Sequence, residues 1–562
     1  MTLLYERLRR SLRAAGWPGC ALVLVLVVAL GLRLQGIAWG LPYNFVNPDE
    51  GTVVPKAVHI ALGYLNPEFF YYPSFFFYLL AGAYWVVAPF WWLFTGDWIV
   101  SQGAFVVDSG PHFLIARLLV VCLGTASIYL VYRLGAAAYG RWTGLLAAVF
   151  VAVEPLHAKY SHMAVTDVPA MAISLLALLL LLNAAQGRPR RLLWGAVAAG
   201  LATSTKYNLG MLVLPATVAG LYAVQPAVRT LGLHGMIALR ARVRVLVRRV
   251  YLPMLLAFVA GSPYVLVDLP HFVHDFLRQG HIVKRGWLGF EQIGNTYWYN
   301  FSVNLAGALG LVLLALALGG VALAFWRRTR FDLMVAPYLV VTFLYVSSWK
   351  ELADRYVLPL VPLLLLLGAR LCVTGLGRRP AARRHVVRAL RPALTSALAV
   401  TVIAAAALPL SDSIAYNRSL TGQDVRLTAK DWVERNIPIG SLIAVDTYGP
   451  PLVRRMDMPY FRQAGMTPAY YGLLKLKLPV PGVRDERHSL RFLRRRGVDY
   501  VIVTSAVYKR IMAAATEYPR VVSFYRRLGD QARLLRVFRP KPGERGPVIK
   551  LYRLTGTELS RR

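Results

Sequence analysis

Cysteine, acidic residues and charge in general are scarce in this chain of 562 residues. There are three cysteines, Cys20, Cys122 and Cys372, and each lies within or beside an apolar run. This excludes a disulfide framework and offers no cysteine-based metal site. Charged residues make up 16% of the chain and hydrophobic residues 57%, and the mean hydropathy is +0.49. The composition therefore predicts a polytopic α-helical membrane protein.

Glycine-rich nucleotide loops are also missing, because neither GxxxxGK[ST] nor GxGxxG occurs. No ATP or nucleotide-sugar site is predicted. There are 27 acidic residues against 64 Lys and Arg, which gives a net charge of +37. The basic residues form short clusters between apolar segments, a pattern typical of cytoplasmic loops beside lipid headgroups. We therefore expect membrane lipids as partners and no nucleic acid.

The basic clusters set the topology. Arginines 7–13 precede the first apolar run, which lacks a convincing cleavage site and is predicted to be an uncleaved helix with its N-terminus inside. The later clusters should all be cytoplasmic: Arg133 with Arg141, Arg188 to Arg191, Arg240 to Arg249, Arg327 to Arg330, and Arg378 to Arg391. The apolar runs between them predict about eleven transmembrane helices, at 18–39, 112–134, 143–155, 168–186, 192–204, 209–226, 250–267, 303–326, 333–349, 356–374 and 393–410.

The apolar segment 74–95 does not fit this alternation, since a crossing there would move every later arginine cluster to the outside. It is rich in Phe, Tyr and Trp, which favour the membrane interface, and the following loop carries Asp97 and Asp108 without a basic residue. We expect 74–95 to lie at the outer interface, inside a long external loop over 40–111.

The composition changes after residue 410. Helical patterns at 428–435 and 487–497 alternate with apolar strands at 441–445 and 498–503, and further strands are predicted at 533–538 and 547–553. The sequence thus predicts a transmembrane domain over 1–410 and a small extracytoplasmic α/β domain over 411–562.

Two adjacent carboxylates, Asp49 and Glu50, follow the first apolar run. Helix capping would explain them, because Asn47 suits an N-cap, Pro48 the first helical position, and acids the first turn. Their external loop and further polar segments predicted on the same side favour a functional interpretation.

Three other polar segments are predicted on the outer side. The first spans 154–169 and holds His157, His162 and Asp167, so it could line a polar cavity, although Thr166-Asp167 would also cap a helix. The second contains Lys206. The third, 350–359, contains Lys350 and Arg355, whose guanidinium can grip a phosphate; a salt bridge to Asp354 or Glu351, or interfacial anchoring, is the alternative.

A metal site has weak support. His271 and His274 are three residues apart in a predicted external loop, but no second ligand pattern accompanies them. We predict no cofactor; a divalent metal remains an unsupported option.

These segments resemble the GT-C glycosyltransferases, in particular glycosyltransferase family 39, which includes protein O-mannosyltransferases and the aminoarabinose transferase acting on lipid A. The resemblance covers roughly 18–375. It consists of the Asp49-Glu50 pair, Tyr71-Tyr72-Pro73 before an aromatic helix, 166–169 (Thr-Asp-Val-Pro), Thr205-Lys206 and 355–359 (Arg-Tyr-Val-Leu-Pro). The segment 497–503 is similar to the external domain of bacterial members.

The resemblance implies an inverting transfer of a sugar from a polyprenyl-phosphate donor to an acceptor hydroxyl of a lipid, glycan or protein at the outer face of the cell membrane. It implies that Asp49 is the general base and that Glu50 and Asp167 position the substrates or tune the base. It also implies that Arg355 neutralises the phosphate, with Lys206 or Lys350. His162 and Tyr72 complete the candidate substrate contacts.

The chain departs from the family where a His-Pro-Pro or Lys-Pro-Pro element is often found, since it has Tyr71-Tyr72-Pro73. This leaves the donor sugar open. A transporter or flippase for a lipid-linked or anionic substrate is the main alternative, although no internal repeat supports it. A structural assembly subunit is a third interpretation.

Overall fold

The computed structural model describes residues 2–43, 47–377, 385–480 and 483–554, without side chains for 2–17, 376–377 and 385–395. Its first part is a helical bundle. The helices are α1 (Thr2–Leu34), α2 (Glu50–Ala61), α3 (Phe75–Thr95), α4 (Gln102–Val107), α5 (Gly110–Tyr139), α6 (Arg141–Val153), α7 (Pro155–Ser161), α8 (Asp167–Ala185), α9 (Arg191–Thr203), α10 (Val213–Thr230), α11 (Gly235–Leu246), α12 (Leu252–Gly261), α13 (Tyr264–Val267), α14 (Leu269–Arg285), α15 (Thr296–Tyr299), α16 (Ala306–Arg327), α17 (Arg330–Ser347), α18 (Val361–Gly377) and α19 (His385–Leu420).

Short irregular helices join several of these elements. Tyr207–Leu212 and Asp354–Tyr356 are 3₁₀ turns, and Val247–Tyr251 and Asn300–Leu305 are π-helical. A helix overlies each predicted span, with 250–267 divided between α12 and α13. Within the described residues, seven helices are long and apolar enough to cross a membrane, and four shorter apolar helices accompany them.

Small residues let neighbouring helices approach closely. A Cβ on Gly200 would lie 2.2 Å from the carbonyl oxygen of Met254, and one on Gly320 would lie 2.3 Å from that of Leu367. The pairs α9–α12 and α16–α18 therefore pack backbone to backbone, as small residues allow between membrane helices.

Helix α3 belongs to the seven long apolar helices, and it begins at the end of the bundle that carries the α/β domain (the domain end). The amide of Phe75 donates to the carbonyl of Ser204 at the end of α9 (3.0 Å). Tyr84 donates to the carbonyl of His112 at the start of α5 (3.1 Å). Beyond α3, Gly103 in α4 packs against Tyr460 of the α/β domain. These contacts hold the start of α3 against α9, its middle against α5, and α4 against the α/β domain.

The α/β domain is a six-stranded sheet flanked by helices. Its elements are α20 (Val425–Asn436), β1 (Leu442–Asp446), β2 (Val453–Arg454), α21 (Met458–Gln463), β3 (Tyr470–Leu476), α22 (Leu490–Arg495), β4 (Tyr500–Thr504), α23 (Ser505–Ala513), α24 (Pro519–Gln531), β5 (Ala532–Phe538) and β6 (Ile549–Leu554).

The strand order is β2-β3-β1-β4-β6-β5. Strand β1 pairs in parallel with both β3 and β4, whereas β6 is antiparallel to β4 and β5. Every residue of β4 is buried, which explains why its sequence is a continuous apolar run and not an alternating one.

The junction between the two parts differs from the predicted boundary at 410. Helix α19 continues to Leu420 because its polar last turns are anchored in the bundle. Ser413 donates to the carbonyl of Val153 (2.8 Å), and Asn417 donates to that of Leu32 (2.6 Å). The first helix of the α/β domain begins at Val425, three residues before the predicted helical pattern, and is capped by Asp424.

A loop of the bundle enters the α/β domain. Leu288 is 2% exposed and belongs to that domain's hydrophobic core, with Trp287 packed beside it. Gln292 donates to the carbonyl of Ala513 (2.6 Å), and Tyr518 donates to Glu291 (2.8 Å). The loop 287–292 therefore fastens the α/β domain to the bundle.

Candidate active site

A small polar pocket lies at the domain end of the bundle. Its volume is about 20 Å³, room for roughly one water. The lining residues are Asp49, Val53, Tyr72, Val165, Thr166, Asp167, Lys206, Arg355 and Tyr356. Five separate segments thus meet, and they bring two carboxylates and two cations together.

The side chain of Asp49 points into the pocket and does not cap α2. The residue stands at the N-cap position, but its carboxylate makes no capping hydrogen bond. Asn47 instead accepts from the amide of Asp49 (3.0 Å). The Asp49 carboxylate accepts from the hydroxyl of Tyr72 (3.3 Å) and from Arg355. Helix capping therefore does not account for this carboxylate.

Arg355 pairs with Asp49 and not with the neighbours that the sequence suggested as alternatives. Its Nη1 donates to Oδ2 of Asp49. Asp354 is occupied elsewhere, by Lys159 (2.7 Å) and the hydroxyl of Tyr160. Burial opposes the charge of Arg355, but the carboxylate of Asp49 raises the pKa of Arg355 well above its ordinary value. The guanidinium is therefore a permanent cation in a largely buried place.

Lys206 and Asp167 form the second ion pair of the pocket. The ammonium of Lys206 donates to Oδ1 of Asp167 and lies 5.1 Å from the ring centroid of Tyr356. Thr166, the N-cap of α8, makes no capping bond with its side chain. Burial lowers the pKa of Lys206 from its ordinary value, against the opposing effect of Asp167. The pair is held in a site where water is scarce, so the charges act strongly on each other.

Glu50, a predicted catalytic residue, does not line the pocket. Its two carboxylate oxygens accept from Nε and Nη2 of Arg117, both at 2.8 Å, and one also accepts from the amide of Ala164 (2.7 Å). Arg117 donates in addition to the carbonyls of Ile37 and Trp39. Both charged side chains are 1% exposed. This fully bonded pair locks α2 to α5 and leaves Glu50 no free oxygen to direct at a substrate.

His162 and Lys350, two predicted substrate contacts, also lie outside the pocket lining. The ring nitrogens of His162 are bonded to the carbonyls of Ala158 (2.7 Å) and Gln35 (3.0 Å) in a buried setting. Lys350 is exposed, and its amide donates to the carbonyl of Val283 (2.8 Å). The histidine therefore closes a turn, and the lysine begins the segment that leads to Arg355.

The sequence did not single out Tyr356 or Glu351 as site residues. The ring of Tyr356 lies beneath both cations, 5.1 Å from the ammonium of Lys206 and 5.7 Å from the guanidinium carbon of Arg355. Burial raises the pKa of Glu351, which Arg355 opposes. Tyr356 directly follows Arg355 in the sequence. Its position next to a predicted site arginine was the feature from which it could have been predicted.

A larger groove lies beside the pocket. It has a volume of about 360 Å³ and is lined by Pro155, Leu156, Lys159, Val303, Asn304, Gly307, Ala308, Asp354 and Tyr416. Most of its lining is apolar, and Val303 is 48% exposed at its edge. The Lys159–Asp354 pair stands in this groove, and Asp354 directly precedes Arg355 of the pocket.

The described part of the chain contains no group of three or more His, Cys, Asp or Glu arranged to hold a metal ion. His271 and His274 lie on α14, and each pairs with its own acid, Asp268 (2.8 Å) or Asp275 (3.2 Å).

Comparison with solved structures identifies the fold. An oligosaccharyltransferase from Archaeoglobus fulgidus superposes with a TM-score of 0.55 at 12% identity, covering 90% of this chain and 72% of that one. ArnT from Cupriavidus metallidurans, solved with undecaprenyl phosphate bound, gives 0.52 at 16% identity and covers 96% and 98%. The A. fulgidus oligosaccharyltransferase AglB with an inhibitory peptide and dolichol phosphate gives 0.53 at 12% identity, covering 95% and 74%.

The chain has the GT-C glycosyltransferase fold. The family model for dolichyl-phosphate-mannose-protein mannosyltransferases matches residues 93–248. This segment of the GT-C fold contains Asp167 and Lys206 but neither Asp49 nor Arg355. No curated protein matches the chain in sequence. The resemblance to GT-C enzymes, first seen in short polar motifs, is confirmed.

Proposed function

We propose that this protein is an inverting glycosyltransferase that moves a sugar from a polyprenyl-phosphate donor to an acceptor hydroxyl at the outer face of the cell membrane. The observation that carries the proposal is the pocket itself, in which Asp49 lies against Arg355 while Lys206 lies beside Asp167. A carboxylate next to two buried cations suits a reaction that needs a base and releases a phosphate.

Asp49 serves as the general base. Its carboxylate takes the proton of the acceptor hydroxyl while that oxygen attacks the anomeric carbon of the donor sugar. The bond from the anomeric carbon to the phosphate oxygen breaks, its electron pair stays with the phosphate, and the sugar configuration inverts. Arg355 and Lys206 neutralise the charge that develops on the leaving phosphate, where preorganised cations lower the barrier most.

The Asp49–Arg355 pair implies an order of binding. In the structure the guanidinium is bonded to the carboxylate that acts as the base in this proposal. The phosphodiester of the donor offers Arg355 an anionic partner whose two free oxygens can take two parallel hydrogen bonds. Donor binding therefore moves the guanidinium to the phosphate and frees an oxygen of Asp49 for the acceptor.

The remaining polar residues position these groups. Tyr72 holds Oδ1 of Asp49, and Asp167 holds the ammonium of Lys206 in the pocket. The Glu50–Arg117 pair fixes the first turn of α2, and so the position of Asp49 directly before it. We assign Glu50 this positioning role in place of a catalytic one.

The apolar groove supports a lipid-linked donor. Its wall of Leu156, Val303 and Ala308 suits an isoprenoid chain, and the segment 354–355 connects it to the pocket. ArnT was solved with undecaprenyl phosphate and AglB with dolichol phosphate. By this likeness the donor's chain lies in the groove and its phosphate reaches Arg355.

The outer location rests on the charge pattern. Helix α9 begins at Arg191, in a basic cluster, and ends at Thr203, three residues before Lys206. The positive-inside rule places the cluster in the cytoplasm and the pocket outside. The α/β domain is then extracytoplasmic.

The test is donor turnover by the purified full-length protein. Undecaprenyl-phosphate hexoses and pentoses, labelled in the sugar, are supplied with an envelope extract as acceptor source, and undecaprenyl phosphate release is measured. We expect release with at least one donor, loss of more than 99% of it in Asp49→Asn, and an unchanged rate in the exposed control Lys350→Ala. Full activity in Asp49→Asn would contradict the assignment of Asp49 as the general base. Translocation of the donor without release would favour a flippase.

A further inference from the structure

Two side chains of helix α7 hold the residue that directly precedes Arg355. The ammonium of Lys159 donates to Oδ2 of Asp354 (2.7 Å), and the hydroxyl of Tyr160 donates to Oδ1 of the same carboxylate. Each carboxylate oxygen therefore has its own donor on α7, which fixes the orientation of the carboxylate as well as its position. Lys159, Tyr160 and Asp354 together form the Asp354 clamp.

The Asp354 clamp acts on the turn that contains Arg355. Asp354, Arg355 and Tyr356 form one 3₁₀ turn, in which successive side chains project about 120° apart. The carboxylate of Asp354 contacts α7, whereas the guanidinium of Arg355 contacts Asp49 in the pocket. The ring of Tyr356 lies beside both cations of the pocket. A rotation of this turn about its axis would therefore move the guanidinium out of the pocket.

Buried hydrogen bonds hold α7 itself in the bundle. The carboxylate of Glu154 caps the helix, since its two oxygens accept from the amides of Leu156 (2.9 Å) and His157 (2.7 Å). One ring nitrogen of His157 is bonded to Arg33 (2.7 Å) and the other to Ser127 (2.9 Å). All five residues are buried. Helix α7 is therefore a fixed support for the carboxylate of Asp354.

Fold stability does not explain the Asp354 clamp well. The side chains of Lys159 and Asp354 are 34% and 33% exposed, and a pair exposed to this extent is screened by water and adds little to stability. Tyr160 is buried and belongs to the described lining of neither the pocket nor the groove. Its hydroxyl therefore reaches the pocket only through Asp354 and the turn.

We propose that Lys159 and Tyr160 are positioning residues that hold Arg355, through Asp354, in the orientation that binds the donor phosphate. The inference rests on the proposed function, which assigns Arg355 to that phosphate. Two parallel hydrogen bonds to a phosphate require a correctly oriented guanidinium plane. Because the clamp fixes the turn, only the side chain of Arg355 has to move from Asp49 to the phosphate, and less conformational freedom is lost on binding.

The first test removes a single hydroxyl. Tyr160→Phe keeps the ring and deletes the bond to Asp354, and the purified full-length variant is titrated with undecaprenyl phosphate. We expect its affinity to fall about fivefold, because a charged group loses one of its two donors. Tyr84→Phe is the matched control, since it deletes another buried hydroxyl bond, to the carbonyl of His112. The control should lower Tm to a similar extent and keep the affinity within about twofold of wild type.

The second test asks whether the loss acts through Arg355. Tyr160→Phe is combined with Arg355→Ala, and undecaprenyl phosphate affinity is measured for wild type, both single variants and the double variant. We expect the double variant to bind as weakly as Arg355→Ala alone, because the hydroxyl then has no guanidinium to position. A purely structural role for Tyr160 would give the same loss in both backgrounds.

The third test compares two substitutions of Lys159. Lys159→Arg keeps a cation for Asp354 and should keep the undecaprenyl phosphate affinity within about twofold of wild type, whereas Lys159→Gln should lower it about fivefold. In the Arg355→Ala background the two variants should bind alike. Equal affinities of Lys159→Arg and Lys159→Gln with Arg355 present would exclude Lys159 from the positioning role.

The outcomes separate this inference from the proposed function. If wild type does not bind undecaprenyl phosphate, Arg355 is not a phosphate-binding residue and both proposals fail. If wild type binds undecaprenyl phosphate but releases none from any labelled donor, the transferase assignment fails, and the binding data alone decide the positioning role. If wild type binds it and Tyr160→Phe binds it equally well, or if Tyr160→Phe loses affinity equally in both backgrounds, only the positioning role is overturned.

Discussion

Arg355 donates a hydrogen bond to Asp49 across a sequence separation of 306 residues. Asp49 stands directly before α2 and Arg355 shortly before α18, so the pocket exists only in the assembled fold. Within the pocket each partner neutralises the charge of the other.

Arg355 should dominate donor binding. Arg355→Lys keeps the charge but removes one of two parallel hydrogen bonds, so we expect undecaprenyl phosphate affinity to fall about tenfold, or about 1.4 kcal/mol. Arg355→Ala should lower it about a hundredfold. Binding to the purified protein by titration measures both. Lys350→Ala, an exposed lysine five residues away, is the control; equal losses at 350 and 355 would contradict the assignment.

Glu50 should govern folding more than chemistry. Glu50→Ala leaves Arg117 charged and buried without its partner, which costs about 3–5 kcal/mol. We expect a large drop in Tm in detergent, with the surviving folded protein still able to turn over donor. Glu68→Gln, at an exposed carboxylate, is the control. The double variant Glu50→Met with Arg117→Leu should recover part of the lost stability, since it removes both charges. A Glu50→Ala variant that is stable but inactive would instead indicate that Glu50 takes part in catalysis.

We expect donor binding to weaken at alkaline pH as Lys206 loses its proton. Burial lowers its pKa, so the ammonium loses its proton at a lower pH than an ordinary lysine. As pH rises through that value, the pocket loses a positive charge and the affinity for a phosphate falls. Undecaprenyl phosphate binding, measured between pH 7 and 10.5, should weaken in wild type toward the level of Lys206→Met, which should itself vary little. Parallel curves for the two proteins would show that another group titrates.

The topology can be read by cysteine labelling. In a background with Cys20, Cys122 and Cys372 replaced by serine, single cysteines are placed at the exposed positions Asp97, Arg190 and Glu486. An impermeant maleimide added to intact cells should label positions 97 and 486, and position 190 only after permeabilisation. Labelling of position 190 but not of position 97 in intact cells would mean that α3 crosses the membrane.

The sequence predicted the helical bundle and the α/β elements because both depend on local periodicity. The apolar runs between arginine clusters coincide with helices, and the strands at 441–445 and 498–503 lie within two residues of β1 and β4. Helix α19 continues past the predicted boundary at 410. Ser413 and Asn417 are polar, as residues on the surface of a soluble domain are, and their carbonyl partners in the bundle are visible only in the structure.

The pocket was predicted in part. Placing the polar segments on one side was sufficient to group Asp49, Tyr72, Asp167, Lys206 and Arg355, which the structure brings together. The roles of Glu50 and His162 depended on partners that no local pattern reveals. Arg117 lies within an apolar helix, and the bonds of His162 are to backbone carbonyls.

The insertion of Leu288 into the α/β domain makes the two parts of the molecule thermodynamically dependent on each other. Removing the α/β domain would leave Leu288 and Trp287 in water and would release the loop 287–292. That loop continues from Val283, which accepts from the amides of Lys350 and Glu351, a few residues before Arg355. Loss of the α/β domain would therefore make the position of Arg355 in the pocket less fixed. A truncated bundle is expected to unfold less cooperatively, and exchanging this domain between related proteins would require exchanging the loop as well.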